Sequence, residues 1–157
     1  PPLSSPAKAS PSMAVGWPAE SIAMLEYHVS AHRLDSHGSL VAAKEASLIA
    51  DTDLAGRPDA FNPVELLLGA LSACLIKGAE RVLPVLGFKL NGLEVSLHAI
   101  RQDSPPKLLS IDYLITVDTD EPDHRIELLH TNIRKYGTIS NTLALAVPIA
   151  GQIVRKG

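Results

Sequence analysis

The chain of 157 residues holds one cysteine, Cys74, at the end of the apolar stretch "NPVELLLGALSAC". A cysteine does chemistry as its thiolate, so the charges around it decide between a nucleophile and packing material. On a helix, Lys77 at the third position onward and Arg81 at the seventh share the thiol's face, with Gly78 between them. Two cations on one stripe favour the thiolate, and Gly78 leaves room for a reactant. The same residues have a plainer account. Buried cysteines behave as small hydrophobes, and Lys77 and Arg81 then mark where the helix meets solvent. Both accounts stand on these residues alone. Glu65 is the nearest acid upstream on the same stretch, nine residues before the thiol. That is about 13 Å along a helix axis and half a turn round, out of reach of the sulfur on its own helix.

A single cysteine excludes an intramolecular disulfide and suits a reducing compartment, so a cytoplasmic protein is expected. No metal site is expected, because the thiol has no cysteine partner and the histidines are scattered. His28 and His32 would share a face on a helix, but their segment alternates as a strand does, which makes them surface residues. No cofactor is expected. The formal net charge of −3, without a basic run, gives no attraction to nucleic acid or acidic membranes. Lys77 and Glu80 interrupt the longest apolar stretch before it reaches membrane-spanning length.

The elements that must carry the thiol follow from periodicity. Residues 1–20 are rich in Pro, Ser and Ala without a repeat and read as a flexible arm; residues 21–157 form one domain. The chain does not begin with Met, and Met13 is a candidate start; the arm is read as lacking a signal-peptide apolar core. "SIAMLEYHVSAHR" and "LVAAKEASLIA" alternate as two strands of a hairpin around the turn "LDSHGS". Asn62 is an N-cap, Pro63 suits the first helical position, and Glu65 completes a capping box. The helix that follows runs to about Leu83, where Pro84 ends or kinks it. Its first half lacks a polar face, so it is expected to be buried on most sides. "GLEVSLHAIRQ" and "KLLSIDYLITVD" are antiparallel strands joined by "DSPP". A second helix starts near Asp120, places Ile126, Leu129, Ile133 and Tyr136 on one face, and stops at Gly137 as a C-cap. "SNTLALA" is a short helix or turn before a last strand around "VPIAGQIV". The order β-β-α-β-β-α-β gives an α+β fold, an antiparallel sheet with helices against one side.

"FNPVELLLGALSACL" and "YGTISNTLALAVPI", with two strands and a helix between them, resemble the OsmC/Ohr family of osmotically induced and organic hydroperoxide resistance proteins. The match in element order covers residue 21 to the end. The resemblance implies an intertwined homodimer with active sites at its interface. It also implies that Cys74 attacks a peroxide and becomes a sulfenic acid. The family resolves this with a second cysteine opening a "CPVSNTL"-like segment; here the segment reads "GTISNTL" and Gly137 stands in that place. Where relatives often read "NPEE" or "NPEQ", this chain has Val64 and then Glu65, so the family's acid is either missing or supplied by Glu65 of a second copy. Arg33 in the first hairpin is the nearest match to the family's arginine, and Arg57 a weaker one.

Three functions follow as expectations. The first is a thiol-dependent peroxidase that reduces organic hydroperoxides with Cys74 alone, supported by Lys77, Arg81 and Arg33, and regenerated by an external thiol. The second is a non-catalytic member of the fold that binds a small lipid-like ligand at the dimer interface. The third is a single-cysteine redox sensor.

Overall fold

The computed structural model describes residues 24–157, so the Pro/Ser/Ala-rich arm and the first residues of the expected opening strand lie outside them. The described chain forms two three-stranded sheets and three helices.

The first sheet is a meander of β1 (Ser30–Arg33), β2 (Gly38–Ala43) and β3 (Ala46–Asp51). Among residues 24–33 only the last four are strand, shorter than the alternation suggested. "LVAAKEASLIA" is not one strand: the chain reverses at Lys44 and Glu45, with Ala43 paired to Ala46. Lys44 takes φ 54° there, the conformation that tight hairpin turns require and Asn or Gly usually announces. Without either residue, the reversal left no mark in the sequence.

The long helix α1 (Pro63–Leu86) begins as expected. Asn62 accepts from the Glu65 amide at 2.9 Å, and the Glu65 carboxylate accepts from the Asn62 amide at 3.0 Å. It ends later, at Gly87, whose φ of 56° closes the last turn. Pro84 lies inside the helix, in its last turn. Twenty-four residues make it about 36 Å long.

Behind α1 stands the second sheet, of β4 (Gly92–Gln102), β5 (Lys107–Asp118) and β6 (Ile149–Arg155). The β4–β5 pair is antiparallel, with Val95 opposite Ile115 and Leu97 opposite Tyr113. The last strand departs from the all-antiparallel expectation: β6 pairs parallel to β5. The intervening helices α2 (Asp123–Lys135) and α3 (Thr138–Leu143) form a crossover that returns the chain to the starting end of β5, which a parallel partner needs. Helix α2 starts later than expected because Pro122 holds extended backbone just before it.

The core lies between this sheet and the helices. Ile111, Ile115 and Val117 of β5 meet Leu71, Leu75, Ala79 and Val82 of α1 and Ile126, Leu129 and Ile133 of α2. Full burial of each large side chain contributes about 1.5–3 kcal/mol. At the far end, Glu121 accepts from the Lys89 amide at 3.0 Å and from Arg125 Nε at 2.6 Å, and Arg125 also donates to the Leu86 carbonyl at 2.7 Å. These bonds tie the end of α1 to the start of α2 and hold the Glu121 carboxyl below the ordinary range, the Lys89 amide first among the causes.

In one chain α1 buries a single ridge rather than most of its surface. Leu71, Leu75, Gly78, Ala79 and Val82 are enclosed, while Ile76 is 40% and Val85 83% exposed. The meander explains the difference: none of its residues belongs to the core cluster, and Leu48 and Ile49 stay partly open at 40% and 39%. A parallel bridge between Ala50 and Phe61 links it to the segment before α1.

Candidate functional site

Cys74 sits on the fourth turn of α1, beside the buried ridge, and is itself half-buried. Its helix opens there onto a cleft of about 410 Å³, lined by Cys74, Lys77, Gly78 and Arg81 together with Tyr27, Tyr136, Thr138 and Ile139. The i, i+3, i+7 stripe therefore forms one wall: thiol, ammonium and guanidinium face the same space. Gly78 serves a second contact as well, since its bare Cα lies where the Ile133 carbonyl of α2 comes close. What approaches Gly78 within the chain is the neighbouring helix.

Gly137 lies close to the thiol without being among the residues that line the cleft. Its backbone has φ −79° and ψ 109°, and it is the residue before α3. The left-handed C-cap expected of it is absent; Tyr136 ends α2 instead, with φ −105°. The glycine is explained by crowding. A Cβ at 137 would overlap Ser140 Oγ and would lie 3.4 Å from Cys74 Sγ. The position at which the resemblance places a second cysteine is thus in contact with the thiol, and the bare glycine there leaves its space to the Ser140 hydroxyl.

Arg33, Arg57 and Glu65 are not among the residues that line the cleft. Arg33 is exposed on β1, opposite Ser39. Arg57 is engaged in its own loop. It forks onto Asp59 at 2.6 and 2.8 Å, and its amide donates to Asp51 at 3.0 Å. The fork holds the Asp59 carboxyl below its ordinary value. In the same loop region His37 meets Asp53 at 2.6 Å, a bond that raises the imidazole's pKa. Glu65 spends its carboxylate on the capping box. Within one chain, then, the structure brings Cys74, Lys77, Arg81 and Gly137 together and leaves the other three apart.

Three residues at this site escaped the sequence reading. Tyr136 counted as an apolar helix position but caps α2 at the rim of the cleft, with Lys135 Nζ 5.3 Å from its ring centre. Tyr27 lines the cleft from the segment before β1. Ser140 was part of the "SNTL" motif, yet only the space over Gly137 shows that its hydroxyl reaches toward the sulfur side of α3.

The family model described as "OsmC-like protein" matches residues 56–150, more than half of the chain. The chain belongs to the OsmC-like family. No curated protein matches it. Among solved structures, an OsmC-like protein from Mycoplasma pneumoniae superposes with a TM-score of 0.77 at 18% identity, covering 85% of this chain and 99% of that one. An organic hydroperoxide resistance protein OsmC from Legionella pneumophila gives 0.67 at 19% identity, covering 84% and 98%. The organic hydroperoxide resistance protein OhrB of Bacillus subtilis gives 0.62 at 15% identity, covering 84% and 100%. These likenesses fix the OsmC-like α+β fold across nearly the whole of each compared chain. Among the described residues no helix is long and apolar enough to cross a membrane.

Proposed function

We propose that this OsmC-like protein reduces organic hydroperoxides with Cys74 as its single redox centre and an external thiol as reductant. The observation that carries this reading is the shared cleft wall of Cys74, Lys77 and Arg81, facing a space large enough for a small organic molecule. The Cys74 thiolate attacks the terminal peroxide oxygen; the O–O bond breaks, sulfur becomes sulfenic acid, and the alkoxide leaves as an alcohol after taking a proton. Sulfur loses two electrons and the peroxide gains them. One external thiol then displaces the sulfenic oxygen as water, forming a mixed disulfide, and a second releases Cys74 and carries the disulfide away. The cations favour the attacking thiolate and, later, the departing oxygen.

A homodimer accompanies this reading. No residue of the β1–β3 meander belongs to its own chain's main core cluster, and Leu48 and Ile49 stay open, while Ile76 and Val85 leave α1 uncovered. A second copy would cover these surfaces, and Arg33 and Glu65 would then reach a thiol across the interface. The protein acts in the cytoplasm, where external thiols are plentiful. A second reading is supported by the cleft's size and by the placement of Arg33 and Glu65 outside it in one chain: a non-catalytic pocket for a small apolar ligand.

The deciding experiment is hydroperoxide consumption in the presence of a dithiol, with Cys74→Ser as control. Consumption by the wild type and none above background by the variant is expected. Equal rates for the two refute the peroxidase reading, and a ligand retained in native mass spectra would then favour the pocket.

A further inference from the structure

From the packing over Gly137 we infer that the Ser140 hydroxyl is a catalytic hydrogen-bond donor for the second half of this reaction. It assists departure of the sulfenic oxygen when an external thiol attacks Cys74. The inference rests on the peroxidase reading and names a residue for a step that reading leaves unassisted.

Three observations converge on it. The Ser140 oxygen occupies space that a Cβ at 137 would need, and that same Cβ would touch the Cys74 sulfur. The hydroxyl and the thiol both border the space above the bare Cα of Gly137. Second, the hydroxyl is loosely held: its bond to the Gly137 carbonyl, one turn back, is 3.3 Å long. A single χ1 rotation frees it. Third, Ser140 is not among the residues that line the Cys74 cleft but borders a separate small cavity of about 80 Å³ with Leu75, Tyr113 and Arg134. It therefore lies beside the sulfur but not across the open mouth by which a thiol enters.

The chemistry asks for such a donor. As the external thiolate attacks sulfur, the S–S bond forms and the S–O bond breaks. Negative charge develops on the oxygen, which leaves as water after taking a proton from solvent. A donor aimed at that oxygen acts where the charge appears. With a side chain at 137, the hydroxyl would be turned away from this position; with glycine it remains. Gly137 and Ser140 make one device, in which loss of a side chain admits a hydroxyl.

The test forms the sulfenic acid with one equivalent of an organic hydroperoxide and mixes it with a small monothiol. Loss of dione-trappable sulfenic acid is then followed by intact mass. Ser140→Ala is expected to slow this reduction about tenfold, the worth of one hydrogen bond to a charged centre, with peroxide attack within about twofold of wild type. Gly137→Ala is the second variant, and it keeps the serine. Its Cβ displaces the hydroxyl, so the same slow reduction is expected, whereas Ser140→Thr keeps the donor and the rate. Wild-type reduction rates in either alanine variant overturn the assignment while leaving the peroxidase reading intact. Absence of sulfenic acid in the wild-type protein overturns both.

Discussion

Replacing Gly137 by cysteine should close a disulfide with Cys74. A Cβ built at 137 lies 3.4 Å from the Cys74 sulfur, close enough for a sulfur on that Cβ to reach bonding distance after one χ1 rotation, given that bridged Cβ atoms sit about 3.8 Å apart. The backbone there has φ −79°, open to any L residue. Ser140 must turn its hydroxyl aside, giving up the 3.3 Å bond to the Gly137 carbonyl, at a cost of about 1 kcal/mol. Closing a loop of roughly 60 residues stabilises the fold by about 4 kcal/mol through the unfolded chain. The balance is about 3 kcal/mol, which for a domain of this size raises Tm by roughly 10 °C. The assay compares melting of the oxidised and reduced variant and counts free thiols by alkylation and mass. One equivalent of hydroperoxide should convert both thiols to an intramolecular disulfide without added reductant. Two free thiols after oxidation, or only chain-to-chain disulfides, would mean that α3 does not hold residue 137 against the thiol, and the site geometry would be wrong.

Gly151 of β6 lies beneath the Tyr113 ring, whose carbons occupy the space of any Cβ there, so Gly151→Ala should cost about 1–3 kcal/mol, read as a lower urea midpoint at unchanged slope. The Tyr113 hydroxyl and His130 Nε2 share a hydrogen bond of 2.7 Å, and burial first, then Arg134, hold the imidazole below its ordinary pKa. A depressed histidine contributes stability that is present above its unfolded pKa and lost as pH falls through that value toward the folded one, so the urea midpoint should drop as pH is lowered below 6.5. His37, raised by Asp53, acts in the opposite sense, so the comparison is with His130→Gln, whose profile should be flatter on the acid side; parallel profiles would exclude the effect.

Much of the body was legible because its signals are local. Asn62, Pro63 and Glu65 announced the start of α1, and the alternation of β4 and β5 placed Ile111, Tyr113, Ile115 and Val117 on the buried face. The stripe from Cys74 to Arg81 was legible because helical spacing alone brings those residues to one wall. The reversal at Lys44 was hidden by a turn without Asn or Gly, and the parallel direction of β6 depends on where two helices carry the chain, which periodicity does not encode. Gly137 misled for a similar reason. A glycine after a helix suggests a left-handed cap, yet here it answers to the hydroxyl of Ser140, three residues on, and to a sulfur 63 positions back.

That last contact bears on how an OsmC-like fold divides its redox work. Two thiols held on one chain make resolution intramolecular, and the effective concentration of the second thiol is set by the fold. In this chain the corresponding contact to Cys74 is made by a glycine, so in the proposed reaction resolution is bimolecular and its rate depends on the thiol that reaches the cleft. Such a site gains from an open mouth and from donors that speed the slower encounter. Lys77 and Arg81 on the wall and Ser140 behind Gly137 are placed to supply them. The disulfide variant and the serine variant therefore test opposite ends of one argument. Gly137→Cys should make external thiol unnecessary for the second step, while Ser140→Ala should demand about ten times more thiol for the same rate of reduction.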